Sequence, residues 1–97
     1  MLLVKGRPNV GGCYVLDSQL TRVGRHPDSD IFLDDVTVST RHTEFVRRGV
    51  RYLLRDVGSL NGTYVNRGRV EKAILSSGDE VQVGRFKQVF VALAGQE

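Results

Sequence analysis

The sequence predicts an all-β domain, a sandwich or barrel of about ten or eleven short strands, and three observations carry that expectation. Apolar or alternating runs are broken roughly every 8 to 12 residues by glycine-rich or charged segments, the spacing of antiparallel strands and their turns. No stretch of useful length repeats its apolar residues with a helical period. The 97 residues, 40% of them hydrophobic, suffice for one packed core without metal or disulfide, so 1–97 reads as a single domain.

Taken in order, Leu2–Lys5 reads as a strand, Arg7–Gly12 as a turn, and Cys13–Asp17 as a second strand. Leu20–Val23 is a third, which delivers Gly24-Arg25 at its end. Pro27 drives His26 away from helical geometry, so His26–Asp30 is a loop before the short strand Ile31–Leu33. Asp34–His42 is a long loop, expected to be anchored by Val36 and Val38 turning inward. Thr43–Arg47 and Tyr52–Asp56 form a hairpin around Arg48-Gly49-Val50, with Phe45 and Val46 as core residues. Asn61-Gly62 is a strong turn dipeptide and closes the turn Ser59–Gly62. Thr63–Val65 and Arg69-Val70 are joined through Asn66-Arg67-Gly68. Ala73–Leu75, Glu80–Val83 and Lys87–Leu93 complete the set, with Ser76–Asp79 and Gly84-Arg85 as turns. There is no internal repeat, linker or low-complexity tract.

Composition narrows the class. A charged fraction of 26% is ordinary for a soluble globular protein. The single Cys13 has no internal disulfide partner and reads as a small apolar strand residue. No apolar run reaches the roughly 18 residues of a membrane span, and Met1–Gly6 lacks the features of a signal peptide, so the expected location is cytoplasmic. The sequon Asn61-Gly62-Thr63 is then a chance match. Net charge is only +3, but it is unevenly placed. Asp28, Asp30, Asp34 and Asp35 form an acidic cluster, expected to be a solvated loop capping its own amides. Arg41, Arg47, Arg48, Arg51 and Arg55 form a basic block, either a solvated face or a surface that steers an anionic partner.

The stretch Gly24–His42 is the one the chain is arranged to present. Gly24-Arg25 opens it and Ser39-Thr40-Arg41-His42 closes it. A flat fork of charged donors, a hydroxyl, and a glycine that lets backbone approach closely are what a phosphate dianion needs. The segment Asp56–Thr63 reads as the loop that completes the site. Gly58 and Gly62 would supply its positive φ angles, and Asn61 would turn its amide outward toward the main chain of a peptide.

Two other chemistries fit poorly. Ser39, His42 and Asp56 have the residue types of a hydrolytic triad, but no G-x-S-x-G elbow or glycine-rich oxyanion loop accompanies them. His42, just ahead of a strand, is better suited to pinning loop to loop. No metal site is expected: Cys13, His26 and His42 lack zinc-ligand spacing, and the acidic run lacks the glycine and terminal Glu of a calcium loop. No cofactor is expected either.

Gly24-Arg25, Ser39-x-x-His42, Gly58-Ser59-x-Asn61-Gly62-Thr63 and Val65-Asn66, followed by Gly78-Asp79 and Gly84, resemble the forkhead-associated (FHA) domain pattern in order and spacing across essentially the whole chain. The resemblance implies an 11-stranded β-sandwich whose loops at one end bind phosphothreonine peptides. It implies that Arg25 and Ser39 hold the phosphate with help from Thr40. Thr37, Arg41, Leu60 and Asn61 would contact the peptide, and Gly24, His42, Gly58, Ser59, Gly62 and Thr63 would support the site. More narrowly, GRHPDSDIFLDDVTVS and DVGSLNGTYVN are similar to the small actinobacterial FHA regulators of the glycogen accumulation regulator and oxoglutarate dehydrogenase inhibitor type. Those restrain 2-oxoglutarate-consuming enzymes and are switched off when a Ser/Thr kinase phosphorylates their N-terminal tail.

Two departures stand out. The chain begins at its first strand, so it is expected to be either a trimmed core or a paralogue without self-inhibition. Its loop reads Ser39-Thr40-Arg41-His42 where the resemblance implies Ser-Arg-Arg-His.

The leading expectation is therefore a non-catalytic phosphothreonine reader. Its implied partners are phosphothreonine proteins, a Ser/Thr protein kinase, the 2-oxoglutarate dehydrogenase complex and glutamate dehydrogenase. Thr37, being uncharged, suggests hydrophobic or mixed residues at the third position after the phosphothreonine. The alternative is a basic adaptor using Arg47, Arg48, Arg51 and Arg55 on nucleic acid or an acidic protein surface. Nucleic acid is the weaker of these, since most of the seven aromatics read as core and leave no stacking platform.

Overall fold

The computed structural model describes residues 2–5 and 13–91. Among them lie eleven strands: β1 Leu2–Lys5, β2 Cys13–Tyr14, β3 Leu20–Gly24, β4 Ile31–Phe32, β5 Thr43–Arg48, β6 Arg51–Asp56, β7 Thr63–Val65, β8 Gly68–Val70, β9 Lys72–Ile74, β10 Glu80–Val83 and β11 Phe86–Phe90. They form two sheets, one in the order β2-β1-β11-β10-β7-β8 and one in the order β4-β3-β5-β6-β9. The chain is an all-β sandwich, as its sequence predicts.

Strand alternation builds the core. In β5 and β6 the paired residues Phe45 and Leu54 both face inward and are fully buried. Val81, Val83, Phe86 and Phe90 face them from β10 and β11, with Leu16, Leu33, Val38 and Leu75 filling in from the connections. Tyr52 meets Phe90 edge-to-face at 5.3 Å, and its hydroxyl donates to the Leu16 carbonyl. That hydrogen bond lets an aromatic with a polar tip sit at the core boundary. Gln88 lies on the inward side of β11 between Phe86 and Phe90. It is fully buried, and neither polar atom of its side chain has a hydrogen-bond partner among the described residues.

Register positions the site. Val23 pairs with Thr43 and Thr43 with Asp56, so β3 ends, β5 begins and β6 ends at one edge. In the other sheet Val83 pairs with Thr63, bringing the start of β7 and the end of β10 to the same end. A hydrogen bond between the buried Thr43 and Thr63 hydroxyls, 2.8 Å, ties the two sheets there. All the loops carrying candidate residues leave the sandwich from this end.

Several expected boundaries shift, each for a local reason. The strand expected over Cys13–Asp17 stops at Tyr14, because the chain then crosses from one sheet to the other with Leu16 buried and Val15 exposed. Val36 does not turn inward: it is 86% exposed at the tip of a turn, and Val38 alone anchors the loop. Val46 faces outward and is half-buried. The hairpin turns hold two residues rather than three. Gly49-Val50 joins Arg48 to Arg51, and Asn66-Arg67, with φ of 50° and 71°, joins Val65 to Gly68. Two consecutive positive φ angles are the mark of a type I′ turn, which matches strand twist and tolerates Asn well. The last strand ends at Phe90. The turn expected over Arg7–Gly12, and Ala92-Leu93 of the last expected strand, lie outside the described residues.

Candidate functional site

Three backbone hydrogen bonds lay the Gly24–His26 segment alongside the 39–42 loop. Arg25 N–H donates to the Ser39 carbonyl at 3.0 Å, His26 N–H to Thr40 at 3.1 Å, and His42 N–H to Val23 at 3.1 Å. This approach is possible only because residue 24 is glycine: a Cβ there would overlap the Thr40 carbonyl. Arg25 is thus fixed through its main chain. Its guanidinium is exposed, with no hydrogen bond or ion pair among the described residues.

His42 is the tie between the two loops. Fully buried, it accepts the Ser39 N–H at Nδ1 (3.1 Å) and donates from Nε2 to the Gly62 carbonyl at 2.8 Å. The expectation that His42 pins loop to loop is met at both nitrogens. A second link runs from Leu60 N–H to Ser39 Oγ at 3.0 Å, and a third from Asn61 Nδ2 to the Thr37 carbonyl at 2.9 Å. The Ser39 hydroxyl therefore accepts from Leu60 and keeps its own proton, which has no acceptor among the described residues.

Asp56 holds the Asp56–Thr63 loop closed. It accepts from the Gly58 and Ser59 amides and from the Ser59 and Thr63 hydroxyls. Burial by itself would raise its pKa, but these four donors outweigh that and hold it down at about 2. Ser59 Oγ in turn accepts the Gly62 N–H at 2.9 Å. Gly58 and Gly62 take φ of 95° and 88°, the left-handed values expected of them.

On the other loop Asp35 caps Thr37, accepting its N–H at 2.9 Å and its hydroxyl at 2.7 Å. Those bonds, with Arg85 and Arg25 nearby, keep the Asp35 carboxyl below its ordinary pKa despite some desolvation. Arg85 reaches Asp35 at 3.6 Å and also donates its N–H to Thr37 Oγ1. The acidic cluster thus divides. Asp35 caps its own loop, whereas Asp30 reaches back to the Arg22 amide of β3, and Asp28 stands beside His26.

The loops bearing the predicted residues converge, but Arg41 stands apart and Asn61 and Thr37 differ from the roles expected of them. Hydrogen bonds join the segments that bear Arg25, Ser39, Thr40, Leu60 and Asn61 at one end of the sandwich. Asn61 is exposed, but its Nδ2 serves the Thr37 carbonyl rather than pointing free, and only Oδ1 has no partner among the described residues. Thr37 has its hydroxyl committed to Asp35 and Arg85. Arg41 lies to one side, lining a cavity of about 110 Å³ with Arg22, His26 and Glu44 among others. Thr37 and Asn61 line a separate open groove of about 530 Å³ with Tyr64, Arg67, Gln82 and Arg85.

Sequence reasoning missed Asp56 as the organiser of its loop and missed Arg67 and Arg85 as groove residues. The first had a signal, an Asp two and three residues ahead of Gly and Ser, the pattern of an Asx turn. The arginines had none, since only the fold brings the β7–β8 and β10–β11 turns beside Thr37. Ser39, His42 and Asp56 do not form a relay: His42 engages the Ser39 amide, not its hydroxyl, and Asp56 bonds to Ser59 and Thr63. Among the described residues, no three His, Cys, Asp or Glu side chains converge on a point.

A one-ended cluster of loops on a β-sandwich, with an exposed arginine whose main chain is bonded to that of a serine and whose guanidinium has no partner among the described residues, is the architecture of an anion-reading module. The sequence profile of the FHA domain matches residues 21–84, and the chain belongs to that family. Among characterised relatives it is similar to the oxoglutarate dehydrogenase inhibitor of Corynebacterium jeikeium, 59% identical over 94% of this chain and 63% of that protein. It is equally similar to the glycogen accumulation regulator GarA of Mycolicibacterium smegmatis, 59% identical over 94% of this chain and 58% of that protein. The chain thus spans about three fifths of the length of these relatives. It also superposes on an FHA-domain structure from work on phosphothreonine-dependent FHA domain interactions, with TM-score 0.83, 33% identity, and 91% and 90% of the two chains covered.

Proposed function

We propose that this domain binds phosphothreonine peptides at the Arg25–Ser39–Asn61 end of the sandwich, by ion-pair recognition on a preorganised surface. One observation carries the reading. The Arg25 guanidinium is exposed and has no hydrogen bond or ion pair among the described residues, its amide bonds the Ser39 carbonyl, and the Ser39 hydroxyl accepts from Leu60 N–H while its own proton has no acceptor among those residues. Phosphate brings close to two negative charges and three acceptor oxygens near neutral pH. Arg25 meets them as a bidentate fork, and Ser39 and Thr40 add hydroxyl donors. Asn61 then engages the peptide main chain through Oδ1. The function is binding, not catalysis.

Similarity to the oxoglutarate dehydrogenase inhibitor and the glycogen accumulation regulator supports a metabolic role. In this reading the domain restrains 2-oxoglutarate-metabolising enzymes in the cytoplasm, the 2-oxoglutarate dehydrogenase complex and glutamate dehydrogenase among them, under a Ser/Thr protein kinase. The groove beside Asn61 qualifies the expected peptide preference. Arg67 and Arg85 line it together with the uncharged Thr37, which favours carboxylates in the segment passing there. Calorimetry with a phosphothreonine peptide and its unphosphorylated twin tests the reading. A dissociation constant of about 0.1 to 10 μM is expected for the first, and none measurable for the second. Equal affinities would end it.

A further inference from the structure

The basic block that the site leaves unused is concentrated on one face. In the five-stranded sheet, residues alternating with the core positions point outward, and register places Leu20 of β3 opposite Val46 of β5, Val46 opposite Leu53 of β6, and Leu53 opposite Ile74 of β9. Four aliphatic side chains therefore form one row straight across four strands. Leu20, Val46 and Leu53 are half-buried and Ile74 is 60% exposed, and none of the four belongs to the packed core. At roughly 4.8 Å per strand the row is about 14 Å long.

Charge brackets this row on both sides. Arg22, Arg55 and Lys72 stand toward the phosphate-binding end, and Arg48 and Arg51 toward the far end. The sole carboxylate among these positions is Glu44, already paired with Arg55 and with Arg22 at 4.0 Å. These outward positions thus carry five cations against one carboxylate, with the Asp30 carboxylate, 2.8 Å from the Arg22 amide, at the β3 edge. Two shallow depressions interrupt it. One, of about 570 Å³, is lined by Leu20, Val46, Arg47, Arg48 and Arg55, and the other, of about 280 Å³, by Arg48, Arg51, Leu53, Lys72 and Ile74.

We infer that this face is a second, phosphate-independent docking surface for an acidic amphipathic helix of a partner protein. The row supplies the apolar seam and the flanking arginines and Lys72 meet the carboxylates beside it. A helix with apolar residues at i, i+3, i+7 and i+10 extends them over about 15 Å, close to the length of the row. A second copy of this chain is disfavoured, because a symmetric contact would set one cationic face against another. Nucleic acid would meet the cations but leave the aliphatic row against a polar backbone, and the row has no aromatic on which a base would stack.

The test is a titration of the isotope-labelled domain, followed by NMR, with an acidic peptide of about 15 residues carrying leucines at i, i+3, i+7 and i+10. Amide shifts centred on Leu20, Val46, Leu53 and Ile74 are expected. Leu53→Glu with Ile74→Glu, at outward positions, should weaken binding about tenfold or more while the spectrum stays that of a folded domain. Arg25→Ala should leave it unchanged. A peptide of the same charge with serines for the leucines should lose most of its affinity. Equal binding by the serine peptide, no shifts on this face, or stronger occupancy of the same residues by duplex DNA or phosphatidylserine vesicles would each overturn the proposal.

Discussion

Removing the imidazole of His42 should loosen the whole end of the sandwich proposed to bind phosphate, without touching a ligand. The perturbation is His42→Ala. It strips the Ser39 amide of its acceptor and the Gly62 carbonyl of its donor, both next to a side chain with no solvent exposure. A buried group left unpaired costs about 1–3 kcal/mol, and the void left by the ring adds to that. The expected loss is about 3–4 kcal/mol of the 5–15 typical of a folded domain. Graded substitutions separate the two bonds. His42→Asn retains an acceptor near the Ser39 amide and loses the link to Gly62, whereas His42→Gln reaches toward Gly62 and loses the other. Both should fall between the parent and His42→Ala. Urea unfolding gives the stabilities, and calorimetry with a phosphothreonine peptide, at temperatures where each variant is folded, gives the binding. All three variants unfolding within about 0.5 kcal/mol of the parent would refute the role assigned to this residue.

Other outcomes follow from the same structure. Asp56 has its folded pKa depressed from 3.8 to about 2, so its contribution is present above about pH 4 and is lost as pH falls toward 2. After discounting for solvent screening this amounts to roughly 1–2 kcal/mol, read as the part of the acid destabilisation that Asp56→Asn no longer shows. Gln88→Leu removes two buried polar atoms without partners among the described residues and should raise stability by about 1–3 kcal/mol in the same urea assay; a destabilised variant would mean that the amide is satisfied. Phosphothreonine should bind several-fold more tightly than phosphoserine, since burying a methyl contributes about 0.8 kcal/mol and the β-branch restricts its rotamers. Matched peptides at one ionic strength decide this, and equal affinities would leave recognition purely electrostatic.

Much of this architecture was legible in the chain because its signals are local. Period-two alternation in Thr43–Arg48 and Glu80–Val83, and the turn chemistry of Gly49, Asn61-Gly62 and Gly78, place strands and turns to within a residue or two. The pairing of Gly24-Arg25 with Ser39-x-x-His42 was readable through the resemblance to the FHA pattern, since neither motif is specific by itself. What was not legible depends on distant approach. Val36 and Val38 are equivalent in sequence, and only the turn capped by Asp35 decides that Val38 enters the core and Val36 faces water. The groove beside Asn61 draws Arg67 and Arg85 from two turns of the other sheet. The basic block looked like a run along the chain, but strand pairing turns Arg48, Arg51 and Arg55 to one face together with Arg22 and Lys72.

The most direct test of the central claim is a four-way calorimetric comparison of parent and Arg25→Ala, each with a phosphothreonine peptide and its unphosphorylated twin. Removing one member of a desolvated charge pair costs about 2–5 kcal/mol, so Arg25→Ala should weaken the phosphopeptide by roughly 30-fold or more. The unphosphorylated twin should bind neither protein measurably, so that the arginine matters only where the phosphate is present. Full affinity of Arg25→Ala for the phosphopeptide, or binding of the unphosphorylated twin as tight as that of the phosphopeptide, would contradict the account.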